Sequence, residues 1–163
     1  MTMSSDAAGC ARRSMLRGMA GLAGLGLFEA SRLLPAYAAD APDWPQAAFK
    51  QKSEIDALKQ LYGKNAEASD KVTLDAPEIA ENGAVVPIAV TSSLPNVTAI
   101  AVLVVENPYT LAAAYQIPAG TRPAVANRLK MAKTTKVVAV VESDGKLYSA
   151  SRDVKVTVGG CGG

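Results

Sequence analysis

The chain has 163 residues, with 17 Lys and Arg against 15 Asp and Glu, a net charge of +2 and no histidine. Without histidine, Ser-His-Asp and Cys-His nucleophile systems are excluded, as are the usual imidazole-based zinc and copper sites. Charge this close to balance argues against nucleic acid or an anionic membrane as partner, since both are bound through excess Lys and Arg.

The first segment reads as an address rather than a fold. Ala11-Arg12-Arg13-Ser14-Met15-Leu16-Arg17 resembles a twin-arginine export signal, with the Arg12-Arg13 pair followed by apolar residues and a further base. The apolar, glycine-rich stretch from Gly18 to Leu34 is interrupted by Glu29 and Arg32 and is too short to span a bilayer permanently. Ala36-Tyr37-Ala38 supplies the small-x-small pattern of a signal peptidase site, which places cleavage before Ala39. Cys10 lies ahead of the apolar stretch, the wrong side for lipid attachment, and is removed with the signal. Residues 1–38 are thus expected to be lost, leaving a bacterial periplasmic protein. Removing the four basic and two acidic residues of the signal from the totals of 17 and 15 leaves 13 of each sign. The mature chain is long enough for one ordinary hydrophobic core, and one domain over residues 39–158 is the economical reading.

Ala39 to Pro45 is a proline-containing lead-in, with Trp44 expected to plug the core. Ser53 reads as a helix N-cap with Asp56 in a capping-box-like position. Ile55, Leu58 and Leu61/Tyr62 follow at helical spacing, and Gly63 suits the position just past the helix end. The period then changes to two. Val72 and Leu74 alternate, Asn82-Gly83 is a tight-turn signal, and Val86, Ile88 and Val90 alternate on a strand whose Pro87 predicts an edge or a bulge. Val97 to Val105 is an almost continuous apolar run. Shorter strands are expected at Leu111–Ile117 and Val125–Met131, and Asp144-Gly145 predicts a hairpin between Val137–Val141 and Lys146–Ala150. Val154, Val156 and Val158 alternate up to the tail.

Short strands at intervals of about 8–12 residues predict a mainly β protein: an immunoglobulin-like antiparallel β-sandwich with one short N-terminal helix. A sandwich covers one face of each sheet. Both alternating sets of the run from Val97 to Val105 are apolar, so a second subunit is expected on the outer one.

The last five residues carry the chemistry. Gly159, Gly160, Gly162 and Gly163 flank Cys161, the only cysteine left after cleavage. Residues 159–163 therefore read as a thin, flexible arm leaving the end of a strand, since glycine lacks Cβ and accepts almost any backbone conformation. An unpaired cysteine in an oxidising compartment points to intermolecular pairing or a reactive thiol. Nothing in the sequence activates it locally: no helix start precedes it, and no second cysteine forms a Cys-x-x-Cys pair. No Gly-x-Gly-x-x-Gly or P-loop pattern is present, one thiol cannot build a metal site alone, and no catalytic residue or cofactor is expected. Cys161 therefore reads as a passenger thiol, expected to be acted on by other enzymes.

Several segments together resemble the SoxY family of sulfur-compound carriers: the twin-arginine leader, Ala76-Pro77-Glu78-Ile79-Ala80-Glu81-Asn82-Gly83-Ala84-Val85-Val86-Pro87, Lys146-Leu147-Tyr148-Ser149-Ala150-Ser151, and Val156-Thr157-Val158-Gly159-Gly160-Cys161-Gly162-Gly163. The resemblance covers essentially the whole chain. It implies that Cys161 carries thiosulfate-derived intermediates covalently. A haem enzyme of the SoxAX type would load it, a SoxB-type hydrolase would release sulfate, and a SoxCD-type dehydrogenase would oxidise what remains. It also implies a heterodimer with a SoxZ-like subunit, itself a small β-sandwich. The alternative from another class is a structural immunoglobulin-like module working as a disulfide-linked dimer through Cys161. A thiol-disulfide enzyme would need the second cysteine this chain lacks.

Overall fold

The computed structural model describes residues 44–159. The export signal with Arg12 and Arg13, the cleavage point, and Gly160, Cys161, Gly162 and Gly163 lie outside the described residues.

Two helices come first, α1 (Gln46–Phe49) and α2 (Glu54–Tyr62). Nine strands follow: β1 (Ala66–Ala68), β2 (Val72–Asp75), β3 (Ile79–Asn82), β4 (Val86–Ser92), β5 (Val97–Val104), β6 (Leu111–Gln116), β7 (Ala124–Leu129), β8 (Thr135–Ser143) and β9 (Lys146–Val158). They form two sheets. The larger runs β1-β9-β8-β5-β6, with β3 also paired to β9; the smaller runs β2-β4-β7. The expectation of a mainly β, two-sheet protein therefore holds, with one difference. β1 and β3 both lie parallel to β9, at Ala66↔Leu147 and Ala80↔Val156 for example, so the larger sheet is not antiparallel throughout.

The core between the sheets follows the alternation. Val72, Leu74, Val86, Ile88 and Val90 of the smaller sheet face Ile100, Val102, Val104, Val137, Ala139, Val141 and Val154 of the larger one. A second buried cluster lies on the opposite side of the larger sheet, where Ala101, Leu103, Val138, Val140 and Leu147 pack against Ala48, Ala57 and Leu58 of the helices. This corrects the expectation for Val97 to Val105. Its outer face is covered by the chain's own α1 and α2, which require no second subunit there. Among the described residues, the outer face of the smaller sheet is left bare, with Pro87, Ala89, Ala126 and Arg128 bordering a shallow, open depression, and so is the outer face of the larger sheet along Ser151, Asp153, Lys155 and Ile79.

Local signals fared unevenly. Gly63 closes α2 in the left-handed conformation at φ 69°, and its N–H donates to the Lys59 carbonyl at 2.9 Å. Ser53 is the N-cap with extended backbone, but its side chain makes no capping hydrogen bond, so the box with Asp56 does not form. Glu54 and Asp56 in the first turn instead favour the helix N-terminus by charge. Ile55 points outward, and Ala57 and Leu58 form the buried contact of α2. Trp44 is not a core plug: it is 68% exposed, stacked on Phe49 with ring centroids 4.6 Å apart. α1 was not anticipated.

Asp144 at φ 48° and Gly145 at φ 72° make the two-residue turn between β8 and β9 as expected. Asn82-Gly83 does not make a hairpin. It carries the chain from β3 in the larger sheet to β4 in the smaller one, with the Ala84 N–H donating to Asn82 Oδ1 at 2.8 Å. Pro87 lies in β4, opposite Arg128 of β7 and beyond the last residue that pairs with β2, so the strand has a neighbour on one side only at that point.

Tyr62 is the described side chain with a clear ionisation anomaly. Burial, and secondarily the Glu142 carboxylate, push its phenol well above the ordinary value. A raised folded-state value gives stability that is fully present below the unfolded value of about 10 and is lost as pH rises through the folded one. Tyr62→Phe is therefore expected to flatten the fall in urea midpoint above about pH 10 and to leave it unchanged at pH 7. An equally steep alkaline fall in both proteins would contradict this.

Candidate functional site

Of the residues singled out in the tail, the structure places Gly159, and it places it firmly. The segment before it, the last four residues of β9, has neighbours on both sides. On one side β3 runs parallel, with Ile79 opposite Lys155 and Asn82 opposite Val158. The Lys155 N–H donates to the Glu78 carbonyl at 2.9 Å, and the Gly83 N–H donates to the Val158 carbonyl at 2.8 Å. The Thr157 hydroxyl donates to the Glu81 carbonyl at 2.9 Å. On the other side the Val156 N–H donates to Thr134 Oγ1 at 3.0 Å.

The loop behind this strand end is itself braced. The Met131 N–H donates to the Gly83 carbonyl at 2.7 Å, the Ala132 N–H to Asn107 Oδ1 at 3.0 Å, and Asn107 Nδ2 to the Lys130 carbonyl at 2.8 Å. Gly159 then passes so close to the Ala132 backbone carbonyl that a Cβ added at 159 would overlap its oxygen. That oxygen belongs to backbone, so the clash cannot be relieved by a rotamer change. Gly159 follows the end of β9, and its close approach to Ala132 is what requires a glycine at this position.

Cys161 follows two residues later, outside the described residues. Covalent geometry alone keeps its Cα within about 7 Å of the Gly159 Cα, at 3.3–3.6 Å per residue. Gly83, Thr134, Thr157, Asn107 and Ala132, which hold the end of β9, were missed as site residues. Asn82-Gly83 signalled only a turn, and nothing local marks a backbone carbonyl that excludes a Cβ.

Among the described residues no group of three or more His, Cys, Asp or Glu is placed to hold a metal ion. The ion pairs near the strand end, Arg152–Glu78 at 3.4 Å and Lys133–Glu106 at 2.8 Å, are exposed surface pairs of little energetic weight. Among the described residues, Thr110 Oγ1 is a buried side-chain oxygen without a hydrogen-bond partner; its backbone N–H donates to the Gln51 carbonyl. No helix among the described residues is long and apolar enough to cross a membrane.

Comparison with known proteins fits this geometry. The family model described as "Sulfur oxidation protein SoxY" matches residues 58–161, which includes Cys161. A solved structure of the sulfur carrier protein SoxY from Chlorobium limicola f thiosulfatophilum is 40% identical with a TM-score of 0.59, covering 64% of this chain and 96% of that chain. Structures of toxic shock syndrome toxin-1 (12% identical, TM-score 0.37, 52% of this chain and 98% of that one) and of the human F-spondin reeler domain (9%, 0.37, 56% and 94%) also match. At those values neither carries an argument. No curated protein matches the chain. A family match running through more than half of the sequence, together with a solved SoxY 40% identical to it, makes this chain a member of the SoxY family of sulfur oxidation proteins.

Proposed function

We propose that this protein is a periplasmic carrier that holds thiosulfate-derived intermediates covalently on Cys161 and presents them to successive enzymes. The observation that carries the reading is a family match extending to Cys161, three residues beyond a strand end braced on both sides. Loading joins the Cys161 thiolate to the outer sulfur of thiosulfate as a cysteine S-thiosulfonate. The two electrons released pass to a haem enzyme of the SoxAX type. A SoxB-type hydrolase then adds water across the terminal S–S bond, releasing sulfate and two protons and leaving a persulfide on Cys161. A SoxCD-type dehydrogenase removes electrons from the remaining sulfane sulfur. The carrier supplies no acid, base or metal to these steps. It supplies a nucleophile on a narrow tether, which unrelated active sites can all admit.

A SoxZ-like subunit is the proposed permanent partner. The bare outer face of the smaller sheet, bordered by Pro87, Ala89, Ala126 and Arg128, is the surface proposed for it. Export is proposed to run through the Arg12-Arg13 signal. The carrier reading is tested by the intact mass of the protein purified without reductant from thiosulfate-fed cells, measured before and after treatment with a thiol reductant. A reductant-labile thiosulfonate or sulfur adduct mapping to Cys161 is expected. An unmodified thiol, or only a stable disulfide dimer, would favour a structural module instead.

A further inference from the structure

The braced strand end limits where a partner can stand. With Gly159 seated against Ala132, the Cys161 Cα stays within about 7 Å of it and the sulfur within about 10 Å. A pocket that closes on the thiol must therefore bring its mouth down onto the surface around Gly159. Two large apolar side chains stand exposed there. Val158, 64% exposed, directly precedes Gly159; Val85, 53% exposed, follows the Asn82-Gly83 turn that is bonded to the Val158 carbonyl. Both lie where the sandwich ends and neither has a partner from the opposite sheet, unlike Val156 one step back, which packs on the core. Exposed valines flanking the Gly83–Val158 hydrogen bond at a short tether's root favour contact with an apolar protein surface. A small sulfur anion reaching the thiol would need neither.

We propose that Val85 and Val158 form a contact rim on which the enzymes that act on Cys161 seat, and that the occupant is the apolar mouth of a protein pocket rather than a second copy of this chain. The inference rests on the carrier reading. Its test uses the full mature protein with Cys161 loaded chemically by tetrathionate. The thiolate displaces thiosulfate from tetrathionate and becomes the S-thiosulfonate, with no external oxidant. Sulfate release by a SoxB-type hydrolase is then followed as a function of carrier concentration. The Val85→Asp/Val158→Asp double variant is expected to lose about tenfold in kcat/KM with kcat kept. Alkylation of its free thiol by iodoacetamide should keep the wild-type rate. Ile55→Asp, an equally exposed apolar position at the far end of the molecule beside Asn65 and Ala66, should match the wild type. Should the double variant fold poorly, Val85→Ser/Val158→Ser carries the same expectation at smaller amplitude.

An unchanged kcat/KM in the rim variants, an equal drop in Ile55→Asp, or an effect confined to the disulfide-linked dimer overturns the rim. Absence of sulfate release from the loaded wild-type chain overturns the carrier reading itself, and the rim with it.

Discussion

Replacing Cys161 by serine is expected to abolish loading altogether: no reductant-labile adduct forms, and thiosulfate-dependent sulfate release falls to the level seen without carrier. A thiolate attacks and is attacked at sulfur, and its pKa of about 8.5 leaves a usable fraction ionised at neutral pH. A serine hydroxyl is not measurably ionised there and cannot take part in the S–S bond that holds the cargo. The loss is therefore one of chemistry rather than of fit. The two described core clusters close over residues 48–154, so the change in unfolding free energy is expected to stay within about 0.5 kcal/mol, as for surface substitutions. Intact mass and a urea titration on the same preparation check both halves. A large stability loss would mean that the tail contributes to the fold, and residual adduct would mean a second attachment site.

Leu103→Ala is expected to produce the largest loss of stability. Leu103 is fully buried on the helix-covered side of the larger sheet, with Ala101, Val138 and Val140 beside it and Ala48, Ala57 and Leu58 among the residues that close its cluster. Leucine truncated to alanine in such a site loses about 2–5 kcal/mol, from lost burial and from the cavity left behind. That is a large part of the roughly 5–15 kcal/mol available to a domain of this kind. A melting temperature about 10–15 °C lower is the corresponding result. The dependence on concentration is the sharper readout. Since α1 and α2 of the same chain cover Leu103, the shift should be the same at tenfold dilution. A shift that grew on dilution would mean that a second subunit completes this cluster.

What could be read from the sequence, and what could not, divides on the range of the signal. The β8–β9 hairpin was legible because Asp144-Gly145 specifies a two-residue turn by local backbone preference alone. The alternation from Val86 to Val90 showed its inward face for the same reason. The run from Val97 to Val105 was correctly buried on both sides, yet its outer cover was misassigned. α1 is a single turn, too short to show a helical period, and Ile55 suggested the wrong face of α2. The parallel pairing of β3 with β9 joins residues some 76 positions apart, at Ala80↔Val156, and Asn82-Gly83 could announce a change of direction without saying which sheet the chain enters. The thiol itself stood out by its four flanking glycines. Its root did not, because a glycine demanded by a neighbouring carbonyl and a glycine in a loose tail look alike in a sequence.

The seat at Gly159 has a kinetic consequence. A tether only two residues long, rooted at a fixed point, confines the thiol to a small volume, so a protein touching that point meets it at an effective concentration of about millimolar or more. Tight complexes are then unnecessary. Brief, weak encounters suffice for transfer, and weak contacts dissociate quickly because differences in affinity among related complexes lie mostly in the off-rate. On the proposed carrier reading, each partner would gain access to the sulfur at high local concentration and still let go in time for the next.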